Sequence, residues 1–428
     1  MKKQKKVSVI TLGCKVNTYE SEAIANALID AGFIVENNLC EADIYIINTC
    51  AVTNEAERKS RGHIAKCLKL NPKAEIYIAG CASQNNSEQF LKYDNVKFVV
   101  GTNDKLKLVS VITSNAKVEK QAYKTEETEY NDTYKSKHSR ARAVIKIQDG
   151  CNNFCSYCLI PYLRGRERSR SLSSIKREIE LLSKTSKEIV LTGINMSAYG
   201  KDIKNQNLGL IDVCELFLDT DVKFRISSLE VNVITDEFLS RLSKIQAFQP
   251  HFHLSLQSGS NDVLKKMNRH YTIEEYKEKV NLIRKYYKNA NITTDIIVAF
   301  PTETEENFKE TCKNAREIGF GFIHVFPYSK RDGTLASKFK NINDGNVAKE
   351  RSFILTNLAK EMRDNFTNQN IGIDYDVIIE QKYEDYFVGH TPNFIKCYIK
   401  STNDLKPNDI VKVKIDKVYK DGAIAQLI

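Results

Sequence analysis

No stretch of this 428-residue sequence is apolar over the roughly 18 residues that a membrane-spanning helix needs, so no membrane anchor is expected. The Lys-rich start, Met1 to Lys6, leads into Val7-Ser8-Val9-Ile10-Thr11-Leu12, which is too short for a signal-peptide core and reads better as a strand. The chain is therefore expected in the cytoplasm. It has no Ser-His-Asp arrangement and no Gly-rich phosphate loop with a lysine, which leaves hydrolase and nucleoside-triphosphatase readings without support. Disulfides are not expected, because the eleven cysteines are odd in number and the cytoplasm keeps thiols reduced. Those cysteines point instead to metal chemistry. A hydrophobic content of 42% with 28% charged residues suits a globular chain, and the length allows about three domains.

Three cysteines fall in Gly150-Cys151-Asn152-Asn153-Phe154-Cys155-Ser156-Tyr157-Cys158, at Cys-x3-Cys-x2-Cys spacing. The apolar run Val144-Ile145-Lys146-Ile147 precedes them and a helical pattern begins near Ser171, so they occupy a strand-to-helix loop. Thiolates are soft ligands that suit iron-sulfur clusters or zinc. A closed structural zinc site takes four protein ligands in paired spacing, and no second pair lies nearby. A 4Fe-4S cluster held by three thiolates keeps one iron open. The loop resembles the signature of the radical S-adenosylmethionine enzymes. That resemblance implies that the open iron binds the amino and carboxylate groups of S-adenosylmethionine.

The first hundred residues repeat one rhythm, an apolar run ending at a small residue and a cysteine, followed by a helical pattern. Val7 to Leu12 leads to Gly13-Cys14, Ile44 to Asn48 to Thr49-Cys50, and Ile76 to Ala79 to Gly80-Cys81. A fourth run, Val96 to Val100, has no cysteine after it. Helices are expected at about 18 to 32 and 55 to 69. Alternating strands and helices imply a parallel sheet, whose ligands bind beyond the carboxyl ends of the strands. A lone cysteine at a strand end is often a small buried hydrophobe. Three at equivalent positions favour a second three-thiolate site. Cys40, Cys67, Cys214, Cys312 and Cys397 lack this context and read as bystanders.

Three domains and a linker follow: a domain at 1 to 111, a polar linker at 112 to 142, a core at 143 to 370, and a tail at 371 to 428. In the core, strands are expected at 144 to 148, 188 to 192, 222 to 227, 252 to 256, 292 to 299 and 322 to 326, with helices between them. Six such units suggest a partial parallel (βα) barrel with chemistry on its carboxyl-end loops. After a long helix at 345 to 368, the tail has short alternating runs and turns at Lys406-Pro407-Asn408-Asp409 and Asp421-Gly422, a small antiparallel β-barrel pattern. His251, His253 and His324 read as satisfied core or edge groups, and Met267 as helix core.

Residues 133 to 177 carry eleven Lys or Arg against two acids, a balance of +9 in a chain of net charge +10. Such runs are usually solvated faces. Arg164, Arg166, Arg168 and Arg170, directly after the cysteine loop, nevertheless suit phosphate contacts of a nucleic acid.

Gly13-Cys14-Lys15-Val16-Asn17, Asn48-Thr49-Cys50-Ala51-Val52-Thr53, Gly80-Cys81, the loop Gly150 to Arg170, Phe224 to Glu230, His253 to Ser260 and Met267 to Thr272 together resemble the methylthiotransferase family. The resemblance covers nearly the whole chain. It implies an N-terminal cluster domain, a radical S-adenosylmethionine core and a C-terminal TRAM barrel. It implies two 4Fe-4S clusters, one on Cys151, Cys155 and Cys158 and an auxiliary one on Cys14, Cys50 and Cys81. Tyr157, Gly193, Ser228, Glu230 and Gln257 match stretches that line the family's cofactor pocket. Lys15-Val16 and Leu191 to Gly200 are most like the branch acting on N6-threonylcarbamoyladenosine beside the tRNA anticodon. Val231 and Ala82-Ser83 depart from the family's commoner residues, at positions that are not ligands.

The implied reaction begins with an electron from a reduced donor such as a flavodoxin or ferredoxin. Cleavage of S-adenosylmethionine gives a 5'-deoxyadenosyl radical that activates C2 of the base. Sulfur then comes from the auxiliary cluster side, and a second S-adenosylmethionine supplies the methyl group. A monomer is expected, with the anticodon stem-loop of tRNA as partner and the base unstacked from its loop. Methylthiolation of isopentenyladenosine or of a ribosomal protein, and a non-catalytic iron-sulfur RNA-binding protein, remain as alternatives.

Overall fold

The computed structural model describes residues 4–114, 120–123 and 141–428. The basic run at 135 to 140 and most of the expected linker lie outside the described residues. Among the described residues, no helix is long and apolar enough to cross a membrane.

Six parallel strands open the chain: β1 (Lys6–Thr11), β2 (Ile34–Glu36), β3 (Ile44–Thr49), β4 (Glu75–Gly80), β5 (Val96–Val100) and β6 (Gln121–Tyr123), in the order β2-β1-β3-β4-β5-β6. All six residues of β3 are buried, as a central parallel strand covered on both faces requires. Val7, Val9, Ile44 and Ile46 pack on one side with Ile24 and Leu28 of helix α1 (Lys15–Asp30). Ile10, Tyr45, Ile47, Ile76 and Ile78 pack on the other with Ile64 and Cys67 of helix α2 (Asn54–Leu70). Strand β6 lies inside the stretch read as a linker. It is a three-residue edge strand paired in parallel with β5, with the Tyr123 ring 6.4 Å from that of Phe98, and it is too short to carry an apolar period to read.

The core strands are β7 (Arg142–Asp149), the two-residue antiparallel β8 (Arg168–Ser169), β9 (Glu188–Gly193), β10 (Lys223–Ile226), β11 (His251–His253), β12 (Asn291–Val298) and β13 (Phe322–Pro327). They form two sheets, β10-β9-β7-β8 and β11-β12-β13, linked by isolated bridges at Phe224–Phe248 and Leu229–Leu254. The result is a partial parallel barrel. Its helices, Leu172–Leu182, Asp236–Leu242, Ile273–Tyr286 and Glu305–Ile318, share one apolar core with the strands. Thr272 caps the third of these with a reciprocal bond to Glu275.

A 24-residue helix, Gly345–Asn368, leads to β14 (Asp374–Tyr383), β15 (Tyr386–His390), β16 (Lys396–Ile399), β17 (Ile410–Tyr419) and β18 (Gly422–Leu427). They close into a barrel in the order β14-β15-β16-β18-β17. The expected antiparallel pattern needs one correction, because β16 and β18 pair in parallel. The barrel docks at the amino-terminal ends of the core strands. Arg225 donates to the carbonyls of Thr391 and Pro392 at 2.7 and 2.6 Å, and Phe394 stacks on His251 with ring centroids 4.5 Å apart.

The N-terminal sheet is fastened to the core by a buried charge network. Arg164 donates to Glu20 of α1 at 3.0 Å and to Asp149 of β7 at 3.1 Å; Lys146 reaches Glu20 Oε1 at 2.9 Å, and Lys105 pairs with Glu20 Oε2. Burial pushes the Glu20 carboxyl up, but Arg164, Lys105 and Lys146 outweigh it and hold the group well below the usual carboxylate range. A depressed carboxyl stabilises the fold above its unfolded pKa, and the stabilisation is lost as pH falls through the folded value. Glu20→Gln leaves buried cations short of counter-charge, for an expected loss of about 3–5 kcal/mol. Urea melts at neutral pH measure this loss, and a melting series in acid tests whether the variant's pH dependence is flatter than the parent's.

Candidate functional site

Both cysteine sets stand where strands end. Cys14 caps α1 beyond β1, Cys50 follows β3, and Cys81 opens the short helix α3 (Cys81–Asn85) beyond β4. Cys50 and Cys81 are buried and Cys14 is exposed. Burial pushes the Cys50 thiol up to about 11, and the Cys81 and Cys14 thiols add to the effect. The loops approach closely: a Cβ on Gly13, whose φ is +96°, would lie 2.7 Å from Cys50 Sγ. Glycine is needed there on both counts.

Cys151, Cys155 and Cys158 occupy the loop after β7, all partly buried. Gly150 opens it at φ +70°, where a Cβ would come 1.8 Å from the Arg166 carbonyl oxygen. Burial raises the Cys151 thiol to about 11 and the Cys158 thiol to about 12, with neighbouring thiols contributing. Asn268 braces the loop from outside, donating to the carbonyls of Asn153 and Phe154 at 3.1 and 3.2 Å. Phe154, Gln257, Asn268 and Ala299 all adopt positive φ without being glycine, a form of strain that gathers at functional sites.

Arg269 is the site's main unexpected residue. It donates to Cys155 Sγ at 3.2 Å and pairs with Glu230, so it offers positive charge to a cysteine sulfur and a carboxylate at once. Cys155, Glu230, Arg269, Asn195, Ser197 and Asn268 line one cleft. Gly193, Ser228 and Gln257 stand outside that lining. Gly193 ends β9, where a Cβ would meet Met196 at 2.8 Å; Ser228 is exposed; Gln257 sits at φ +70° with its amide bonded to the Asp295 carbonyl at 2.9 Å. Tyr157 packs with Val263, Met267 and Phe300. Arg269 stands in the Asn268-Arg269-His270 run already noted in the sequence, but nothing in the run itself marks an arginine as a thiolate partner.

The expected phosphate-binding arginines need correction. Arg164, Arg168 and Arg170 are buried. Arg164 is spent on Glu20 and Asp149, Arg168 donates to the carbonyls of Arg164 and Arg166 at 2.9 and 3.1 Å, and Arg170 pairs with Glu178. Arg142, at the head of the same basic stretch, is shared between Glu188 and Glu380. Among the described residues, part of the local charge surplus is thus paired with carboxylates, of which Glu20 and Glu380 are distant in sequence. Arg166, over the Phe154 ring at 4.6 Å, is the member of the four that is not buried. An aromatic and basic surface does exist on the C-terminal barrel. Tyr386, Tyr398 and Tyr419 cluster with centroids 5.2 to 5.8 Å apart, Lys400 lies over Tyr386 at 5.4 Å, and Lys420 over Tyr383 at 4.9 Å.

The N-terminal sheet lies across the carboxyl edge of the barrel. Thr102 donates to the Leu163 carbonyl at 2.7 Å, Arg331 pairs with Glu57 at 2.9 Å, and Arg164 faces the Cys81 thiol. A partial parallel barrel with three thiols on the loop after its first strand defines a radical S-adenosylmethionine core, and residues 145–315 match the Radical SAM superfamily. The same fold occurs in the radical S-adenosylmethionine methyltransferase TsrM from Kitasatospora setae, with a TM-score of 0.55 at 14% identity, covering 76% of this chain and 72% of that one. Residues 6–101 match the uncharacterized protein family UPF0004. The chain is 37% identical to the threonylcarbamoyladenosine tRNA methylthiotransferase MtaB of Bacillus subtilis over 99% of its own length and 97% of the relative's. It is 38% identical to the protein of that name from Aquifex aeolicus, over 86% and 91%. It is 36% identical to a tRNA-2-methylthio-N(6)-dimethylallyladenosine synthase of Thermosipho melanesiensis, over 96% of each. The chain belongs to the radical S-adenosylmethionine methylthiotransferase family.

Membership in that superfamily implies a 4Fe-4S cluster and S-adenosylmethionine. The Cys151 set fits this group, with three soft donors on one loop and a cationic donor beside Cys155. Raised thiol pKa values mean that metal-free Cys151 and Cys158 stay protonated near neutrality. In metal-free protein at pH 8, their alkylation by iodoacetamide is expected at least about tenfold slower than that of free cysteine. It should accelerate toward pH 11; peptide mass spectrometry after timed quenching gives the rates.

Proposed function

We propose that this chain methylthiolates C2 of N6-threonylcarbamoyladenosine beside the anticodon of tRNA. In this reading Cys151, Cys155 and Cys158 hold the cluster that binds S-adenosylmethionine, and Cys14, Cys50 and Cys81 hold an auxiliary 4Fe-4S cluster. The observation that supports it is that Arg164, a few residues after Cys158, bonds Glu20 of α1 and Asp149 of β7 and lies against the Cys81 thiol, so the elements carrying the two cysteine sets pack together. Installing sulfur at an unactivated carbon requires a radical source and a sulfur source within reach of one atom, and in this reading the two cysteine sets are those sources. When bound, the first cluster supplies reductive cleavage of S-adenosylmethionine, with electrons from a flavodoxin- or ferredoxin-like donor.

The chain's own part is placement. Arg269 orients Glu230 and the Cys155 sulfur toward the cleft. Tyr157, Gly193, Ser228 and Gln257 are the further positions assigned to the cofactor pocket. The N-terminal sheet closes the barrel's carboxyl edge against water. The C-terminal barrel, read as a TRAM module, offers its tyrosines and lysines to the RNA of a cytoplasmic, monomeric enzyme. The tRNA named for both groups of relatives supports this partner. The 36% identity to a dimethylallyladenosine synthase favours dimethylallyladenosine as the second reading.

Protein reconstituted anaerobically with iron and sulfide is to be given dithionite, S-adenosylmethionine and tRNA bearing either nucleoside. Methylthiolated threonylcarbamoyladenosine together with 5'-deoxyadenosine is expected, and both should vanish when Cys151, Cys155 and Cys158 are changed to alanine. Product from the dimethylallyl nucleoside alone refutes the substrate assignment. On the RNA side, Lys420→Glu should weaken tRNA binding about 3- to 10-fold and reduce the salt slope of log Kd by about one. Filter binding from 50 to 200 mM salt measures both.

A further inference from the structure

The strands β11, β12 and β13 turn a polar ladder toward the barrel lumen. Thr293 Oγ1 lies 2.9 Å from both His251 Nε2 and His253 Nδ1, and His253 Nε2 lies 3.3 Å from Asp295 Oδ2. Asp295 is in register with His324, whose ring centroid is 5.7 Å from that of His253. Lys15, immediately after Cys14, faces this ladder from the N-terminal side, within electrostatic reach of Asp295, His251 and His324. Solvent reaches Lys15, yet protein surrounds most of it. Lys105, Lys146 and Arg164 nearby are each paired with a carboxylate. Lys15 has no hydrogen-bond or ion-pair partner among the described residues.

Resting on the reading above, we infer that Lys15 is the specificity residue of the substrate site, its ammonium receiving the carboxylate of the N6-threonylcarbamoyl group within the lumen bounded by His253, Asp295 and His324. Three observations support an anionic group there. The ammonium is unpaired and reachable by a ligand while protein surrounds most of it, and a charge-assisted hydrogen bond to a carboxylate is stronger than one to a neutral acceptor. Its position next to Cys14 ties the lumen to the auxiliary thiol set, so one substrate can present a ring carbon to the thiols and its side group to the lysine. Asp295 and the two imidazoles supply acceptors and donors for the hydroxyl and ureido N–H groups of the same substituent. A dimethylallyl group offers none of these partners and would leave Lys15 desolvated without a counter-charge, and sites built around a polar partner reject analogues that lack it.

The other chemistry open to this ladder is a divalent cation, since His253, Asp295 and His324 bring ligand atoms within 4.8 Å of one another. Charge opposes it. Lys15 and Arg142 both act on this region electrostatically, and the ladder's carboxylate, Asp295, already lies 3.3 Å from His253.

The test uses the reconstituted holoenzyme and two tRNA substrates, one with threonylcarbamoyladenosine and one with the threonine carboxylate converted to its neutral methylamide. The wild type is expected to prefer the acid by about 10- to 100-fold in kcat/KM, mainly through KM. Lys15→Gln should bring the two substrates to within about threefold of each other, and Lys15→Arg should restore part of the preference. A wild type that treats acid and amide alike overturns the inference while leaving the substrate assignment intact, and needs no variant to fold. A Lys15→Gln enzyme that keeps the full preference also overturns it. So does a divalent ion retained at one per chain beyond the cluster iron and lost in His253→Ala. No methylthiolation of threonylcarbamoyladenosine at all overturns both the inference and the functional reading beneath it.

Discussion

Arg164 is fully buried between Glu20 and Asp149, and the two halves of the site meet through that contact. Glu20 belongs to the first helix of the N-terminal sheet, and Asp149 to the strand that leads into the Cys151 loop. A charge so far from water is tolerated when its partners are fixed on every side. Lys105, Lys146, Asn17 and Asn48 complete the set. Shifting either sheet by a residue would strand a buried charge, so the network sets the register between the two cysteine groups as well as their separation.

Around this lock, each cysteine set depends on backbone freedom more than on side-chain packing. Gly13 and Gly150 hold positive φ and leave room that any Cβ would fill. Of the thiols they precede, Cys14 is exposed, whereas Cys151 is partly buried and its thiol is pushed up, which keeps it protonated until a metal replaces the proton. Arg269 adds a fixed donor beside Cys155. The proposed chemistry thus draws on local turns for ligand geometry and on long-range pairing for the relation between the two sets.

Much of this was legible in the residues. The strands at 188 to 192 and 322 to 326 occur within a residue of their expected ends, and the helix expected at 345 to 368 is found at Gly345–Asn368. Their apolar periods are long and their caps local, so neighbours did not override them. The Cys14, Cys50 and Cys81 positions were readable because Cys50 and Cys81 follow their strands directly and Cys14 comes within one short turn of β1. The arginines were misread for the opposite reason. Arg164, Arg168 and Arg170 form a basic run in sequence, but Arg164 meets Glu20 from the first helix of the N-terminal sheet, and no local rule reports a counter-charge so distant.

Membership in the methylthiotransferase family was decided by the sequence alone, through motifs whose order survives without coordinates. It also determined the ligand type, since thiol spacing on a strand-to-helix loop is a local property. Only the tertiary structure decided which cations are available. Lys15 and Arg164 look equally free along the chain, yet one stands unpaired in a lumen and the other is neutralised by two carboxylates. The reason is physical: ligand spacing is set by a few backbone dihedrals, whereas the state of a charge depends on every group that folding brings near it.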